Sequence, residues 1–450
     1  MGRLFGTDGA RGVANTELTP ELAMNIGRAA AMVLINKETE HPKVLIGKDT
    51  RLSSDMLEGA LIAGLCSVGA NVVKLGVVPT PAVAYLIGKY GADAGIMISA
   101  SHNPFEFNGI KIFNMDGFKL PDELEEQIES IVLDDDAQPY PKYSHEKLGR
   151  VVEADTAADD YISHVVENVA HRLDGLEIAL DCSNGSSSRT AEKLFTALGA
   201  KCHMLFDNPN GTNINDDCGS THMDNLMKYV KENNLDGGMA FDGDADRCLA
   251  VDENGNLVDG DFIIAICAQD LKSRGKLKNN AVVGTILTNM GFNKFCESQD
   301  IKFVSTNVGD RYVLESMRAY GYNLGGEQSG HVIFLDYCTT GDGQMTAAQL
   351  LSMMNRRKEK LSDMAKLMSR FPQVMINVKV SNEGKLKFYT DKEIKKEIQQ
   401  ADERLGSRGR ILVRASGTEP LIRVMVEGED SSEITSIANQ AAELIRERLV

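Results

Sequence analysis

The sequence contains no tryptophan, and its eight cysteines include no Cys-x-x-Cys pair. Cys66, Cys248 and Cys267 lie within apolar stretches, where a cysteine usually behaves as a small buried hydrophobic side chain. A chain of 450 residues can bury enough apolar surface to fold without disulfide bonds. We therefore expect reduced thiols, which are typical of a cytoplasmic protein.

The sequence also lacks a long apolar run and an excess of positive charge. No stretch approaches the ~18 apolar residues that span a bilayer. The first residues lack the apolar core of a signal peptide, and Gly6 stands where myristoylation needs serine or threonine. The formal net charge of −17 does not favour nucleic acid or anionic membranes. We expect a cytoplasmic protein that binds neither nucleic acid nor membranes. Both a monomer and a homo-oligomer are compatible with the sequence.

What is present is an alternation of short apolar stretches and helical patterns. Residues 43–50 are a strand candidate, 54–68 a helical stretch and 70–78 the next strand candidate. The alternation restarts after the acidic, proline-bearing stretch 133–143 and again near residue 281. This order predicts largely parallel sheets covered by helices.

The pattern changes after Pro372, where strand candidates flank a charged helix and a final helix follows. This change predicts a small C-terminal α+β domain after three similar α/β domains. The predicted domains are 1–150, 151–256, 257–370 and 371–450.

An acidic loop, "FDGDADRC", lies between two apolar runs of the second predicted domain. Its Asp242, Asp244 and Asp246 alternate with small residues, so the three carboxylates can converge on one hard cation such as Mg²⁺ or Ca²⁺. The spacing matches the first ligands of an EF-hand, but Arg247 stands where that loop needs glycine, and the flanks look like strands. We interpret the loop as a metal site, and a solvated acidic turn is the alternative.

A second polar island, "SASHNP", follows the apolar run at Ile96–Ile98. If Ser101 approaches the acidic loop, a phosphate on its hydroxyl can complete the metal shell. Arg11, Lys111 and Arg247 could then balance the negative charge, and His102 could hydrogen-bond the phosphate or help to deprotonate the serine. The alternative is an ordinary turn serine.

Two further islands carry groups suited to a phosphorylated sugar. In "GGEQSGH", Glu327, Gln328, Ser329 and His331 offer donors and acceptors for sugar hydroxyls or an amine, and a plain hairpin turn is the alternative.

The last island, "RASGTEPLIR", combines hydroxyls and free backbone N–H groups with two arginines. Its residues are Arg414, Ser416, Gly417, Thr418 and Arg423. Such a set can form an anion nest that guanidinium groups clamp, and it lacks the nucleotide-binding phosphate-loop pattern. A hairpin turn with two surface arginines is the alternative. Because each island falls in a different predicted domain, we expect one cleft shared by four domains.

These motifs, from "FGTDGARG" to "RASGTEP", resemble the α-D-phosphohexomutase family over essentially the whole chain. The resemblance implies three similar mixed α/β domains and a smaller C-terminal α+β phosphate-binding domain around a central cleft. It implies an isomerase that moves a phosphoryl group between two positions of a hexose through a 1,6-bisphosphate. One departure is Phe107, where we would expect an acidic residue.

The same resemblance implies residue roles. Ser101 is then the phosphoserine, and its phosphate and the three aspartates hold Mg²⁺. Lys111 would carry the proton of the attacking hydroxyl, and His102 is the less favoured candidate for this role. Glu327 and Ser329 would read the sugar, while Arg414, Ser416, Gly417, Thr418 and Arg423 would grip the phosphate that is not transferred.

"SASHNP" and "GEQSGH" are most similar to the amino-sugar members of the family. This implies interconversion of glucosamine 6-phosphate and glucosamine 1-phosphate for UDP-N-acetylglucosamine synthesis, with glucosamine 1,6-bisphosphate or glucose 1,6-bisphosphate as activator. A phosphomannomutase/phosphoglucomutase is the alternative within the family, and Gln328 is the feature that separates them. A hydrolase that uses Ser101, and a catalytically silent metal-binding protein, are the alternatives outside it.

Overall fold

The computed structural model describes residues 3–6, 8–34, 41–134, 139–416 and 420–450. The chain forms two compact units. The larger runs to Leu287 and includes Asp300–Leu367, and the smaller contains Thr288–Gln299 and Met368–Val450. Among the described helices, none combines the length and the hydrophobicity that a membrane-spanning segment needs.

A seven-stranded sheet opens the larger unit. Its strands are β1 (Phe5–Gly6), β2 (Gly9–Val13), β3 (Lys43–Lys48), β4 (Asn71–Val77), β5 (Ala94–Ile98), β6 (Phe107–Phe113) and β7 (Val151–Glu153), and its helices are α1 (Pro20–Leu34), α2 (Ser54–Ser67), α3 (Thr80–Tyr90) and α4 (Asp122–Leu133). The strand order is β1-β2-β6-β5-β3-β4-β7. The parallel strands β3, β4 and β5 bring their carboxyl ends to one edge, which is the usual place for functional loops.

The sheet is less parallel than the sequence pattern predicts, because β6 runs antiparallel to β5 and β2. The connection from β5 to β6 contains no helix. A short connection of this kind can only return the chain antiparallel, since a parallel crossover needs a dozen or more residues. The antiparallel return places Lys111 of β6 opposite Met97 of β5.

A five-stranded sheet follows. Its strands are β8 (Glu177–Asp181), β9 (Lys201–Leu205), β10 (Gly237–Phe241), β11 (Cys248–Asp252) and β12 (Leu257–Val258), and its helices are α5 (Ala157–Glu167), α6 (Ala191–Ala197) and α7 (Asp224–Glu232). The order is β12-β11-β10-β8-β9. The two apolar runs around the acidic loop are strands, as their sequence suggests, and β10 and β11 pair antiparallel with Phe241 opposite Cys248.

A four-stranded sheet completes the larger unit. Its strands are β13 (Ala281–Thr285), β14 (Lys302–Thr306), β15 (Leu324–Gly326) and β16 (Val332–Phe334), and the helices in this part of the chain are α8 (Gly260–Ser273), α9 (Met290–Ser298), α10 (Asp310–Tyr320), α11 (Gly343–Arg357) and α12 (Leu361–Met364). The order is β14-β13-β15-β16. Helix α11 is buried from Gly343 to Asn355 and packs against α8, β11 and β16, so it joins this sheet to the preceding one.

The smaller unit has a three-stranded antiparallel sheet. Its strands are β17 (Gln373–Lys379), β18 (Gly409–Ala415) and β19 (Leu421–Gly428), and its helices are α13 (Asn382–Phe388), α14 (Lys392–Leu405) and α15 (Ser431–Leu449). Strand β19 is central, and its Ile422, Val424 and Val426 lie in the core of this unit. Helix α9 also belongs here, because the buried Glu427 carboxylate accepts hydrogen bonds from the Met290 backbone N–H (3.2 Å) and the Asn289 side chain.

Candidate active site

Ser101 lies in the loop that follows β5, which we call the serine loop (residues 99–106). It is buried and has a φ of 52°, in the left-handed region. Arg51 donates to the carbonyl oxygens of Ser101 (2.9 Å) and Asn103 (2.8 Å), and the Asn215 amide donates to the same two oxygens at 2.9 and 3.0 Å. Asp49 holds the Arg51 guanidinium at 2.8 Å. These contacts keep the unusual backbone of the serine loop in one conformation.

The serine loop lies directly against the acidic loop (residues 242–247). The Ser101 hydroxyl donates to Asp242 Oδ2 at 2.6 Å, although the two residues are 141 positions apart. A Cβ atom added at Gly243 would come within 2.5 Å of the Ser101 carbonyl oxygen, so only glycine permits this approach. The geometry therefore meets the condition that the sequence argument required, a serine hydroxyl beside the three aspartates.

The three aspartates of the acidic loop converge. Asp242, Asp244 and Asp246 are all buried, and each offers an oxygen within 4.8 Å of the others. Asp244 Oδ1 and Asp246 Oδ1 have no hydrogen-bond partner, which is costly for buried carboxylate oxygens. A hard divalent cation supplies what these oxygens lack, so the residues fit a metal such as Mg²⁺.

Burial and neighbouring charges shift the pKa values of Asp242 and Asp246 in opposite directions. Burial, together with the charges of Asp246 and Asp244, raises the pKa of Asp242 well above its usual range. Burial acts the same way on Asp246, but Lys111 and His331 outweigh it and hold the pKa of that carboxyl well below its usual range. Three ionised carboxylates in this space repel one another, which again favours a bound cation.

Lys111 is a buried cation that pairs with two aspartates of the acidic loop. Its Nζ lies 2.5 Å from Asp244 Oδ2 and 3.2 Å from Asp246 Oδ2, and the side chain is 1% exposed. Burial favours the neutral amine, but the two carboxylates outweigh burial and raise the pKa of Lys111. Thr80, at the first turn of α3, also donates to Asp244 Oδ2 at 2.6 Å. The role of Lys111 as proton carrier stays a prediction, and it requires this ion pair to loosen.

The sugar loop (residues 327–331) is the turn of the hairpin formed by β15 and β16. Glu327 Oε1 accepts a hydrogen bond from the Gly309 N–H at 3.1 Å, and Ser329 is exposed. Gln328, the predicted feature of the amino-sugar members, donates through its amide to Asp259 Oδ2 at 3.2 Å. In this structure Gln328 therefore connects the sugar loop to the residue that caps the N-terminus of α8.

His331 connects the sugar loop to the acidic loop. Its Nδ1 is 3.7 Å from Asp246 Oδ1, and its Nε2 lies 3.0 Å from the Gly341 backbone nitrogen and 3.3 Å from Asp310 Oδ2. Burial opposes a charge on the ring, but Asp246 and Asp310 outweigh it and raise the pKa of His331. The acidic loop thus contacts both the serine loop and the sugar loop.

Sequence reasoning missed several charged residues at this site. Lys119 Nζ lies 3.2 Å from Asp8 Oδ1 and 2.5 Å from Asp310 Oδ2, and Asp8 Oδ2 lies 3.3 Å from Arg11 Nη2. Asp8 stands inside "FGTDGARG", and Asp310 is the first residue of α10, directly after the polar stretch that follows β14, so the sequence signal for both is a polar stretch next to a strand.

The predicted phosphate-binding residues lie in the smaller unit. Arg414 of β18 is directly opposite Arg423 of β19, and burial together with Arg423 lowers the pKa of Arg414. Like charges directly opposite on paired strands are destabilising, and an anion between them relieves the repulsion. Ser416 is buried, whereas Gly417 and Thr418 lie outside the described residues.

Phe107, the departure from the family pattern, begins β6. Its carbonyl oxygen accepts a hydrogen bond from Arg51 Nη1 at 3.1 Å, and its side chain is partly buried. The backbone at this position therefore helps to hold the guanidinium that also holds the serine loop.

Four family models match the chain. They describe phosphoglucomutase/phosphomannomutase alpha/beta/alpha domains I, II and III and the C-terminal domain, and they match residues 2–139, 159–255, 259–371 and 375–444 respectively. The chain belongs to the phosphoglucomutase/phosphomannomutase family, which is a family of phosphohexomutases and therefore of isomerases. The predicted fold class and the resemblance drawn from the motifs are confirmed.

The chain is also similar over its full length to individual members of this family. The phosphoglucosamine mutase of Clostridium novyi (strain NT) is 53% identical over 448 residues, which cover 100% of this chain and 99% of that protein. The phosphoglucosamine mutase of Clostridium acetobutylicum is 54% identical over the same length and covers 100% of both chains.

The fold is also that of a solved family member. The phosphoglucomutase/phosphomannomutase family protein of Burkholderia thailandensis superposes with a TM-score of 0.83 at 24% identity, over 99% of this chain and 98% of that one.

Proposed function

We propose that this chain is a phosphoglucosamine mutase, which interconverts glucosamine 6-phosphate and glucosamine 1-phosphate through a phosphoserine at position 101. The observation that carries the proposal is the Ser101 hydroxyl, 2.6 Å from Asp242 in a buried triad of carboxylates. The substrate is inferred from relatives of this activity that are more than 50% identical over the whole chain. The absence of disulfides among the eight cysteines supports a cytoplasmic enzyme.

The reaction needs two phosphoryl transfers. In the first, the bond between phosphorus and Ser101 Oγ breaks as the free hydroxyl of the substrate forms a new bond to phosphorus and loses its proton. The product of this step is a 1,6-bisphosphate. After the bisphosphate has reoriented so that its other phosphate faces the serine, Ser101 Oγ takes that phosphoryl group. The proton returns to the sugar oxygen that is released. Glucosamine 1,6-bisphosphate or glucose 1,6-bisphosphate would phosphorylate an unmodified serine by the same step.

Asp242, Asp244 and Asp246, with the Ser101 phosphate, would hold Mg²⁺, which withdraws charge from the phosphoryl group. Arg11 Nε and Arg247 Nε are buried nitrogens without hydrogen-bond partners. These donors can bind oxygens of the phosphoryl group in transfer.

The proton of the attacking hydroxyl needs an acceptor. Burial, aided by Arg247 and Arg11, lowers the pKa of His102 to about 4, so its ring is neutral at neutral pH. The ring lies 3.3 Å from Ser101 Oγ and can orient the hydroxyl. We assign the proton to Lys111, which would accept it as the neutral amine if a cation on Asp244 and Asp246 weakened the ion pairs that now raise the pKa of Lys111.

The remaining groups position the sugar. Glu327, Ser329 and His331 would bind hydroxyls or the amine of the sugar ring. Arg414, Ser416, Gly417, Thr418 and Arg423 would bind the phosphate that is not transferred. Because this phosphate group differs between the two half-reactions, the sugar must present either end to Ser101.

A coupled assay tests the function. The enzyme is given glucosamine 6-phosphate, Mg²⁺ and a trace of glucose 1,6-bisphosphate, and glucosamine 1-phosphate is measured. We expect kcat/KM to be highest for this substrate. A higher value with glucose or mannose phosphates would favour the phosphomannomutase/phosphoglucomutase alternative, and release of free phosphate at the turnover rate would favour a hydrolase.

Replacing Arg414 with methionine tests the phosphate-binding assignment. Hydrogen bonds to a charged partner contribute about 1.5–3 kcal/mol, so we expect KM for glucosamine 6-phosphate to rise about 10- to 100-fold. The matched control is Arg404→Met, because Arg404 is an exposed arginine of the same unit that pairs with Glu433. An unchanged KM in Arg414→Met, measured in the coupled assay, would remove Arg414 from the substrate-binding set.

A further inference from the structure

Asp310 connects the third sheet of the larger unit to the first. It is the first residue of α10 and is 9% exposed. Its Oδ2 lies 2.5 Å from Lys119 Nζ and 3.3 Å from His331 Nε2. No motif of the sequence analysis includes Asp310, although it contacts a residue of the sugar loop.

The Asp310 carboxylate itself is held in place. Its Oδ1 accepts the Arg311 backbone N–H at 2.9 Å, and its position at the start of a helix favours a negative charge. Lys119, which binds Oδ2, is 12% exposed and also contacts Asp8. Both oxygens therefore have partners that fix the orientation of the carboxylate.

His331 is enclosed between Asp310 and the acidic loop. Its Nε2 faces Asp310 and the Gly341 N–H, and its Nδ1 faces Asp246. A Cβ atom added at Gly341 would lie 2.5 Å from the ring, so the backbone packs directly against the imidazole. With a residue on each side, the ring orientation depends on the groups that bind its two nitrogens.

We propose that Asp310 is a positioning residue for phosphoryl transfer, because its carboxylate holds the His331 imidazole in the orientation in which Nδ1 faces Asp246 of the acidic loop. The inference rests on the proposed function, in which His331 faces the sugar beside the metal site. A carboxylate beside Nε2 favours a proton on that nitrogen and fixes the direction in which Nδ1 points. A displacement of about 1 Å at a reacting group can reduce the rate about 100-fold.

A double-mutant cycle measures this dependence directly. Asp310→Asn keeps the side-chain shape and removes the charge, and we expect kcat to fall about 10- to 100-fold while KM changes less than about twofold. Because Asp310 acts through His331, the same substitution in a His331→Asn background should change kcat less than about twofold. Equal losses of kcat in both backgrounds would overturn the proposal, as would a loss confined to KM.

Two further variants separate positioning from folding. Glu315→Gln is the control, since Glu315 is an exposed carboxylate of the same helix, 4.0 Å from Arg311, and we expect its kcat to match the wild type. Asp310→Glu keeps the carboxylate, so we expect its kcat to lie between the values of the wild type and of Asp310→Asn. If Asp310→Asn does not fold, the cycle is run with Asp310→Glu and His331→Asn instead. A loss of kcat caused by Asp310→Glu that is equally large in the His331→Asn background overturns the proposal.

The substrate assignment can fail separately. If the wild-type enzyme prefers glucose or mannose phosphates, the proposed substrate is wrong, and the same cycle is run on the preferred hexose phosphate. Coupling between Asp310 and His331 on that substrate supports the positioning role, and additive losses there refute it.

Discussion

Ser101→Ala should lower kcat by about four orders of magnitude or more, which is the scale of loss when an enzyme loses its nucleophile. Alanine has no oxygen to carry the phosphoryl group between the two positions of the sugar. The hydroxyl donates a hydrogen bond to Asp242 and lies 3.3 Å from His102 Nδ1, while Arg51 and Asn215 hold the serine loop through backbone carbonyl oxygens. We therefore expect the melting temperature to change by only about 2 °C.

Two measurements check this prediction. The coupled assay gives kcat, and intact-mass analysis after incubation with glucose 1,6-bisphosphate shows whether the protein gains one phosphoryl group, which the wild type should and Ser101→Ala should not. Ser273→Ala is the control, because Ser273 donates to the Asp270 carbonyl oxygen at the end of α8 and should leave both readouts unchanged. Normal turnover in Ser101→Ala would refute the phosphoserine mechanism.

Asp242→Asn is expected to lower kcat about 1,000-fold, the scale found when a group that stabilises transition-state charge is removed. Asparagine nearly preserves the shape, and its amide can still bind the Ser101 hydroxyl and the Arg247 N–H that the carboxylate now accepts at 2.6 and 3.1 Å. It replaces a buried carboxyl group whose charged form is disfavoured by burial, Asp246 and Asp244, so the metal-free variant should melt no lower than the metal-free wild type.

The metal dependence of stability separates this effect from misfolding. A ligand at about 100 times its Kd stabilises the folded state by about 2.7 kcal/mol, so Mg²⁺ should raise the melting temperature of chelator-treated wild type and leave that of Asp242→Asn unchanged. Asp216→Asn is the control, since Asp216 is exposed and should retain the full response. A Mg²⁺-dependent rise in Asp242→Asn equal to that of the wild type would show that Asp242 is not a ligand.

Much of the site could be predicted from short motifs, since phosphate and metal chemistry require particular residue types at close spacing. The alternating aspartates of the acidic loop suit a hard cation whatever the fold around them, and the serine of "SASHNP" stood out because it follows a buried strand. The apolar runs predicted most strands, although the antiparallel return of β6 depends on a connection too short for a parallel crossover.

Residues that act through distant partners could not be predicted in this way. Lys119 and Asp310 are 191 positions apart, and Thr80 and Asp244 are 164 apart. Each is a single polar residue in a loop or a first helical turn, where such residues are most often solvated. Gln328 shows the converse, because the sequence marks it as a specificity feature while its amide binds Asp259, the N-cap residue of α8.

By itself, the sequence determined which chemical groups are available to the proposed function, namely the Ser101 hydroxyl, the three carboxylates of the acidic loop and two arginines. Local composition decides those properties, because a carboxylate or a guanidinium has the same charge in any fold. Only the tertiary structure decided that Asp242 meets Ser101, that Arg414 faces Arg423 and that Asp310 holds His331. These pairs depend on strand order, register and loop packing, which are set by the burial of apolar side chains over hundreds of residues.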